Sequence, residues 1–420
     1  MLAIGLLLRL GVIVLHQRPL ISDEREYNAL ASTIVSAGTY EVNGIPTAYR
    51  PIGYPAFVAA FYTVAGDHPI VVKAAQAIFD TATALILFLL LAGLPDRTRL
   101  VAAGIWALYI PAIWYVNFLL SESIYTFLLV LLAFFFARWD DNRKEISLIF
   151  GICFGCLVLI KPGTLLLILF LPLCFICSRK SAKSLRPAMA ALLLVLAPWM
   201  VRNYSVFNTI ALSSNGGINL LIGNNPNTTG AYALSFNPQI LEGAHGEFEA
   251  DRQAYDSAVS YIIHNPDRSA VNVVKKLGHL FESEGGVLVW SFHPVPEDTQ
   301  TRYSSKYASV PLLLILLTNL PYILVLLFGI IGYLGTRRDA IWWFTACLLG
   351  TWLVLHSIFF GGGRFHHPLM PFFALFAAIG IADGLEIIKR LSRRQVFVGS
   401  LIIMGLVSIW IYEAIVIYHG

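Results

Sequence analysis

Two short stretches near the start of the chain hold residue types that could do chemistry. "SDEREY" (22–27) sets Asp23 and Glu24 side by side with Tyr27 one helical turn on, and "YRPIGYPAF" (49–57) carries Tyr49, Arg50 and Tyr54. A carboxylate within hydrogen-bond reach of a hydroxyl can take its proton as that hydroxyl attacks, the task of a general base in glycosyl transfer. Arg50 can grip a phosphate through parallel N–H groups. Partial desolvation at a membrane boundary is expected to raise the pKa of Asp23, and with it the basicity of the carboxylate. The same residues also read structurally. Asp23 and Glu26 have capping-box spacing for a helix through "YNALASTIVSAG", with Leu30, Ile34 and Val35 on one face, as in a helix lying on a membrane surface. Arg50 can equally be an interface anchor.

The elements that must position these residues are apolar. Of 420 residues, 57% are hydrophobic and only 13% charged, where a soluble domain carries roughly a quarter. Apolar runs separated by short polar links predict eleven membrane helices near 1–15, 70–93, 100–116, 120–138, 147–160, 163–178, 187–201, 311–335, 340–360, 368–388 and 396–416. No small-residue cleavage site follows the first helix, so it is expected to be retained. About half of the 29 Lys and Arg fall in alternate short links, such as Arg179, Lys180, Lys183 and Arg186, which places those links in the cytoplasm. Two long loops then face outward: 16–69, which contains both chemical stretches, and 202–310, large enough for a small mixed domain. The chain divides into a transmembrane module (1–201), the outer loop domain (202–310) and the C-terminal transmembrane helices (311–420).

Other motifs carry less. Cys153-x-x-Cys156 and Cys174-x-x-Cys177 have zinc-ribbon spacing, but they lie in two apolar helices, so the cysteines read as small buried residues. "SSNGGINLLIGNNPNTTG" reads as a loop whose backbone amides could meet a sugar or phosphate. In "HNPDRSA", Asn265 is expected to precede a helix that opens on Pro266. His366 and His367 read as a polar interface pair rather than metal ligands, since adjacent side chains on a helix point apart.

Taken together, "SDEREY" and "YRPIGYPAF" resemble the membrane-embedded GT-C glycosyltransferases, which include protein O-mannosyltransferases and lipid A aminoarabinose transferases. The resemblance runs on through "LLSESIYTFLLVLLAFF", "LAPWMVRNYSVFNTIALSSNGGINLLIGNNPNTTGAY" and "GGGRFHHPLMPFFALFAAIGI". Ile52 stands where the family has a second proline. The resemblance implies an all-α polytopic GT-C fold. It makes Asp23 the catalytic base, with Glu24 beside it and Glu122 a second acid near the acceptor or a metal. Arg50, Lys161, Arg202 and Arg364 become phosphate contacts, and Tyr27, Tyr49 and Tyr54 line the substrate site. The implied donor is a polyprenyl phosphate sugar, transferred with inversion to a lipid or glycan acceptor such as lipid A, polysaccharide or protein. The site would face the periplasm or exterior at a bacterial inner membrane. The resemblance names no certain cofactor, leaves a divalent cation open and gives no nucleic-acid partner. Two rival readings are an O-antigen ligase or polymerase, disfavoured because the acids lie in the first loop, and a lipid-linked sugar flippase, for which repeats and broken helices are expected.

Overall fold

The computed structural model describes residues 1–292 and 310–419, with side chains to 415. Helix α1 (Leu2–Leu15) leads into α2 (Asp23–Ala37), which stops at Gly38, whose positive φ suits a residue without a Cβ. A two-stranded hairpin follows, β1 (Glu41–Val42) and β2 (Ile45–Pro46), turned by Asn43-Gly44 with both residues at positive φ, as the tightest hairpin turn demands. Then come α3 (Gly53–Ala65) and α4 (Pro69–Leu90), which opens on a proline that needs no N–H partner there. The bundle continues through α5 (Asp96–Ala107), α6 (Ile110–Tyr115), α7 (Glu122–Ala137), α8 (Lys144–Ile160), α9 (Leu167–Cys177) and α10 (Leu185–Phe207). The long later segment holds α11 (Gly216–Gly223), α12 (Glu247–His264), α13 (Pro266–Leu280) and α14 (Gly285–Phe292). The chain closes with α15 (Leu312–Gly335), α16 (Ala340–Ile358), α17 (Met370–Asp383), α18 (Leu385–Arg390) and α19 (Arg393–His419).

Among the described residues, six segments are long and apolar enough to cross a membrane: Pro69–Leu90, Ala182–Phe207, Leu312–Gly335, Ala340–Ile358, Gly363–Asp383 and Arg393–Ile415. The protein is an all-α, multi-pass membrane protein. Every one of the eleven expected spans is helical, but several are shorter than a straight crossing requires. Leu2–Leu15, Glu122–Ala137 and Pro162–Cys177 are apolar helices of this kind. The expected helix 100–116 is broken into α5 and α6 at Leu108–Tyr109, because Pro111 cannot donate within a continuing helix. The "NGGINLLIG" stretch, expected as loop, is helix α11; Asp251 Oδ1 accepts from the Gly217 and Ile218 amides at 2.7 and 3.1 Å, which satisfies its first turn. The amides that looked available for a sugar are therefore taken. Within 202–310 the described elements are helices joined by loops over 208–215 and 224–237, with an isolated pairing of Ala231 with Gly361 in place of the expected mixed domain; residues 293–309 of that segment lie outside the described residues.

Packing is helix on helix. Gly329 of α15 sits so close to α17 that an added Cβ would meet the Phe373 carbonyl oxygen at 2.8 Å; small residues permit this kind of approach between helices that water does not drive together. Trp139, at the end of α7, makes edge contacts with Phe150 and Phe175 and ties α7 to α8 and α9. The cysteines are free; Cys153, Cys174 and Cys347 are buried.

Candidate active site

The chain enters α2 through a tight turn, Ile21 to Glu24, closed by the Glu24 amide on the Ile21 carbonyl at 2.9 Å. Ser22 occupies φ 44°, ψ −126°, the backbone of the first central residue of a type II′ turn, where glycine is the usual choice. That turn makes Asp23 the first helical residue rather than the cap. Its carboxylate does not cap the helix as the spacing suggests. Instead Oδ1 accepts from Arg50 Nη2 at 2.7 Å and Oδ2 from Arg364 Nη1 at 3.0 Å. Glu26 does not complete a capping box either; its Oε2 accepts from Arg50 Nε at 2.6 Å.

This pairing reverses one expectation. Burial by itself would raise the Asp23 pKa, but Arg364 and Arg50 together outweigh it and hold the carboxyl at about 2. As it stands, Asp23 is a firmly ionised and weak base. Burial pushes the neighbouring Tyr27 phenol up to about 12, so it stays protonated.

Two further elements bring a second ion pair alongside. Glu122 opens α7, and Lys161 follows α8, where Pro162 stops the helix; Lys161 Nζ lies 3.1 Å from Glu122 Oε1. The Lys161 ammonium stands 5.1 Å from the centre of the Tyr125 ring. Gly53 explains how α3 reaches this place. Its missing Cβ would lie 2.6 Å from the Leu159 carbonyl carbon, so the start of α3 rests directly on the end of α8. Tyr54, the next residue, is buried, packs edge-on against Tyr27 at 4.8 Å and donates to Gln76 Oε1 at 2.6 Å. Tyr49 flanks the Arg50 guanidinium at 5.3 Å.

Arg364 arrives from far along the sequence on the turn Gly363–Phe365. That turn is held by Glu282 Oε1, which accepts from the Gly363 amide at 2.9 Å, and by Trp352 Nε1 donating to the Phe365 carbonyl at 2.8 Å. His366 bridges the Leu280 carbonyl and Glu284 at 2.8 and 3.0 Å. His367 points the other way, 4.2 Å from the centre of Tyr115, with neither ring nitrogen hydrogen-bonded.

The structure thus gathers Asp23, Tyr27, Tyr49, Arg50, Tyr54, Glu122, Lys161 and Arg364 at one end of the bundle. Two predicted residues do other work. Glu24 turns away from its neighbour; it holds Arg18 through two bonds of 2.7 Å and accepts from the Ile21 and Leu119 amides at 3.1 and 2.7 Å. Arg202 donates to the Thr47 and Tyr40 carbonyls, each at 2.8 Å, which pins the hairpin to α10. Sequence reading missed Glu282 and Glu284, which fix the Arg364 turn, and also Gln76. For Gln76 the signal was present as a polar residue amid apolar neighbours, and such residues are rarely buried without a partner.

The cluster has donors to spare. Among the described residues, Arg364 uses one N–H on Asp23, Arg50 uses two on Asp23 and Glu26, and Lys161 uses one on Glu122. A guanidinium has five such groups and an ammonium three, so an incoming anion with several oxygens finds partners here. Among the described residues no three His, Cys, Asp or Glu side chains converge as metal ligands would.

No protein-family model matches the sequence, and no curated protein does. Solved structures do match. The crystal structure of the Archaeoglobus fulgidus oligosaccharyltransferase, tethered with an acceptor peptide containing the NVT sequon, aligns with a TM-score of 0.51 over 97% of this chain at 14% identity. The fold is shared with that oligosaccharyltransferase. The chain spans about half of that oligosaccharyltransferase, 53% of its length. ArnT from Cupriavidus metallidurans, bound to undecaprenyl phosphate, aligns with a TM-score of 0.44 over 92% of this chain and 78% of its own length, at 13% identity. These likenesses concern architecture, so the chemistry has to be argued from the cluster itself.

Proposed function

We propose that the protein is a membrane glycosyltransferase that moves a sugar from a polyprenyl phosphate to a hydroxyl acceptor, with inversion, on the non-cytoplasmic face of a bacterial inner membrane. The observation that carries this reading is a carboxylate held between two arginines that keep unused donors, beside a lysine–glutamate pair, at one end of an apolar bundle. Lipids, glycans and protein side chains all carry such a hydroxyl, and the cluster fits hydroxyl and phosphate chemistry rather than the acceptor's body.

The step proceeds as one displacement. The acceptor oxygen forms a bond to the anomeric carbon as the bond from that carbon to the phosphate oxygen breaks. The electron pair leaves with the phosphate, and the acceptor proton passes to Asp23. Fixed cations aimed at the departing oxygen stabilise it more than they do the bridging phosphate ester oxygen it came from. Arg50, Arg364 and Lys161 are placed for that task. The resting pairing gives the donor a second effect. A phosphate that draws Arg50 and Arg364 toward itself loosens their hold on Asp23, and the carboxylate regains basicity when a substrate is present. Glu122 keeps Lys161 in place, and Glu24 fixes the turn that presents Asp23.

Asp23→Asn tests the reading. It should lower transfer from a polyprenyl phosphate sugar by at least about a hundredfold while leaving donor binding in place. Glu26→Gln, at an exposed carboxylate on the rim, should remain close to wild type. Near-normal turnover in Asp23→Asn would reject the assignment.

A further inference from the structure

On the other side of the α2 turn, the end of α1 and the start of α4 enclose a cavity of about 280 Å³ lined by Gln17, Arg18, His68, Pro69, Ile70 and Lys73. Two cations face it and no carboxylate lines it. The Arg18 side chain is 2% exposed; its two terminal nitrogens hold Glu24, yet its Nε has no partner. Lys73 is 7% exposed and its ammonium makes one long contact, 3.4 Å to Asn117 Oδ1. A buried ammonium carries three donors and is costly to leave unmatched. Pro69 and Ile70 open the 22-residue helix α4, whose dipole at this end favours an anion, although Pro69 has no N–H and the Val71 amide is taken by the His68 carbonyl. The cavity is therefore built for a compact group with several negative oxygens. Beside it, Val14, Leu15 and Ile70 are exposed apolar side chains, which suits an anion tethered to hydrocarbon.

We propose that this cavity binds the phosphate headgroup of an anionic phospholipid, at a site separate from the Asp23 cluster. Asp23 and Glu24 are neighbours on one helix and project about 100° apart, so the arginines of the cluster and Arg18 take different carboxylates on different sides of α2. The bound lipid would hold Arg18, and through it Glu24 and the turn that carries Asp23. The inference does not depend on the reaction proposed above.

The experiment is native mass spectrometry of the full chain released from nanodiscs of phosphatidylglycerol or of phosphatidylcholine. Wild type should retain phosphatidylglycerol preferentially. Lys73→Gln should weaken that retention about tenfold, the loss expected for one charge-assisted hydrogen bond, and Lys73→Arg should restore much of it. Gln17→Glu, which adds a negative charge at an exposed position on the rim, should weaken it as well and serves if Lys73→Gln folds poorly. Arg50→Gln should leave retention unchanged. Equal retention of both lipids, or full phosphatidylglycerol retention in both Lys73→Gln and Gln17→Glu, overturns the proposal. So does loss of retention in Arg50→Gln, which would assign the lipid to the Asp23 cluster. Inorganic phosphate binding in a Lys73-dependent manner without any lipid preference would also overturn it, in favour of a free anion.

Discussion

Two ion-pair sites in this molecule are built from the same residue types and behave differently. Inside the bundle, Arg9 of α1 meets Asp80 of α4 at 2.6 Å with both side chains fully buried. Arg9 makes four hydrogen bonds, to Asp80 and to the Gly5, Ala107 and Trp106 carbonyls. At the loop-bearing end, Asp23 is shared by Arg50 and Arg364, all three are partly exposed, and both arginines keep free donors. The first site is closed and joins α1, α4 and α5. The second is open and can exchange partners. Spare donors that solvent can reach, rather than charge itself, separate a site that can receive a ligand from one that only holds helices together.

The comparison can be broken most sharply at Arg9. Arg9→Met leaves Asp80 buried without its cation, which should cost about 3–5 kcal/mol and show as loss of monodisperse protein; adding Asp80→Leu should recover most of it. Arg364→Gln, which leaves Arg50 on Asp23, should cost no more than about 1 kcal/mol in a detergent unfolding series. Equal destabilisation by Arg9→Met and Arg364→Gln would erase the distinction.

Acid titration sharpens it further. Asp23 is held at about 2 in the folded protein against roughly 3.9 unfolded, so its pairing adds roughly 2 kcal/mol. A lowered folded pKa means that this stability is complete above about pH 4 and is lost as the pH falls toward 2. Asp23→Asn should flatten the stability profile across that window, and an unchanged slope would show that the arginines do not hold the carboxylate.

The smallest effect concerns the turn. Ser22→Gly relieves a backbone strain of about 1 kcal/mol or slightly more, offset in part by the entropy of glycine. The unfolding midpoint should rise slightly; a fall would mean that the serine hydroxyl contributes something the turn geometry does not explain.

Much of this was legible in the sequence. Hydrophobic runs located the helices, and charged residues stranded between them located Asp23, Arg50, Glu122, Lys161 and Arg364. Their pairing was not legible, because the partner of Asp23 lies 341 positions away and nothing local in either segment encodes it. The basicity of Asp23 was misjudged for the same reason: desolvation can be guessed from a nearby apolar helix, but two converging arginines cannot. Glu24 and Arg202 carried the right chemistry at the right ends of helices, but Glu24 is taken by Arg18 and two backbone amides and Arg202 by backbone carbonyls. Arg18 and Lys73 escaped notice because each reads alone as an ordinary residue at a helix end.

The distance along the chain between Asp23 and Arg364 also imposes an order of events during synthesis. At ribosomal speed the carboxylate emerges on the order of tens of seconds before its second arginine, and Arg50, only 27 positions on, has to neutralise it alone meanwhile. The constellation is complete only after the penultimate stretch of hydrophobic chain has been inserted. A ribosome stalled before that point leaves a half-built centre, in which a single arginine faces the carboxylate.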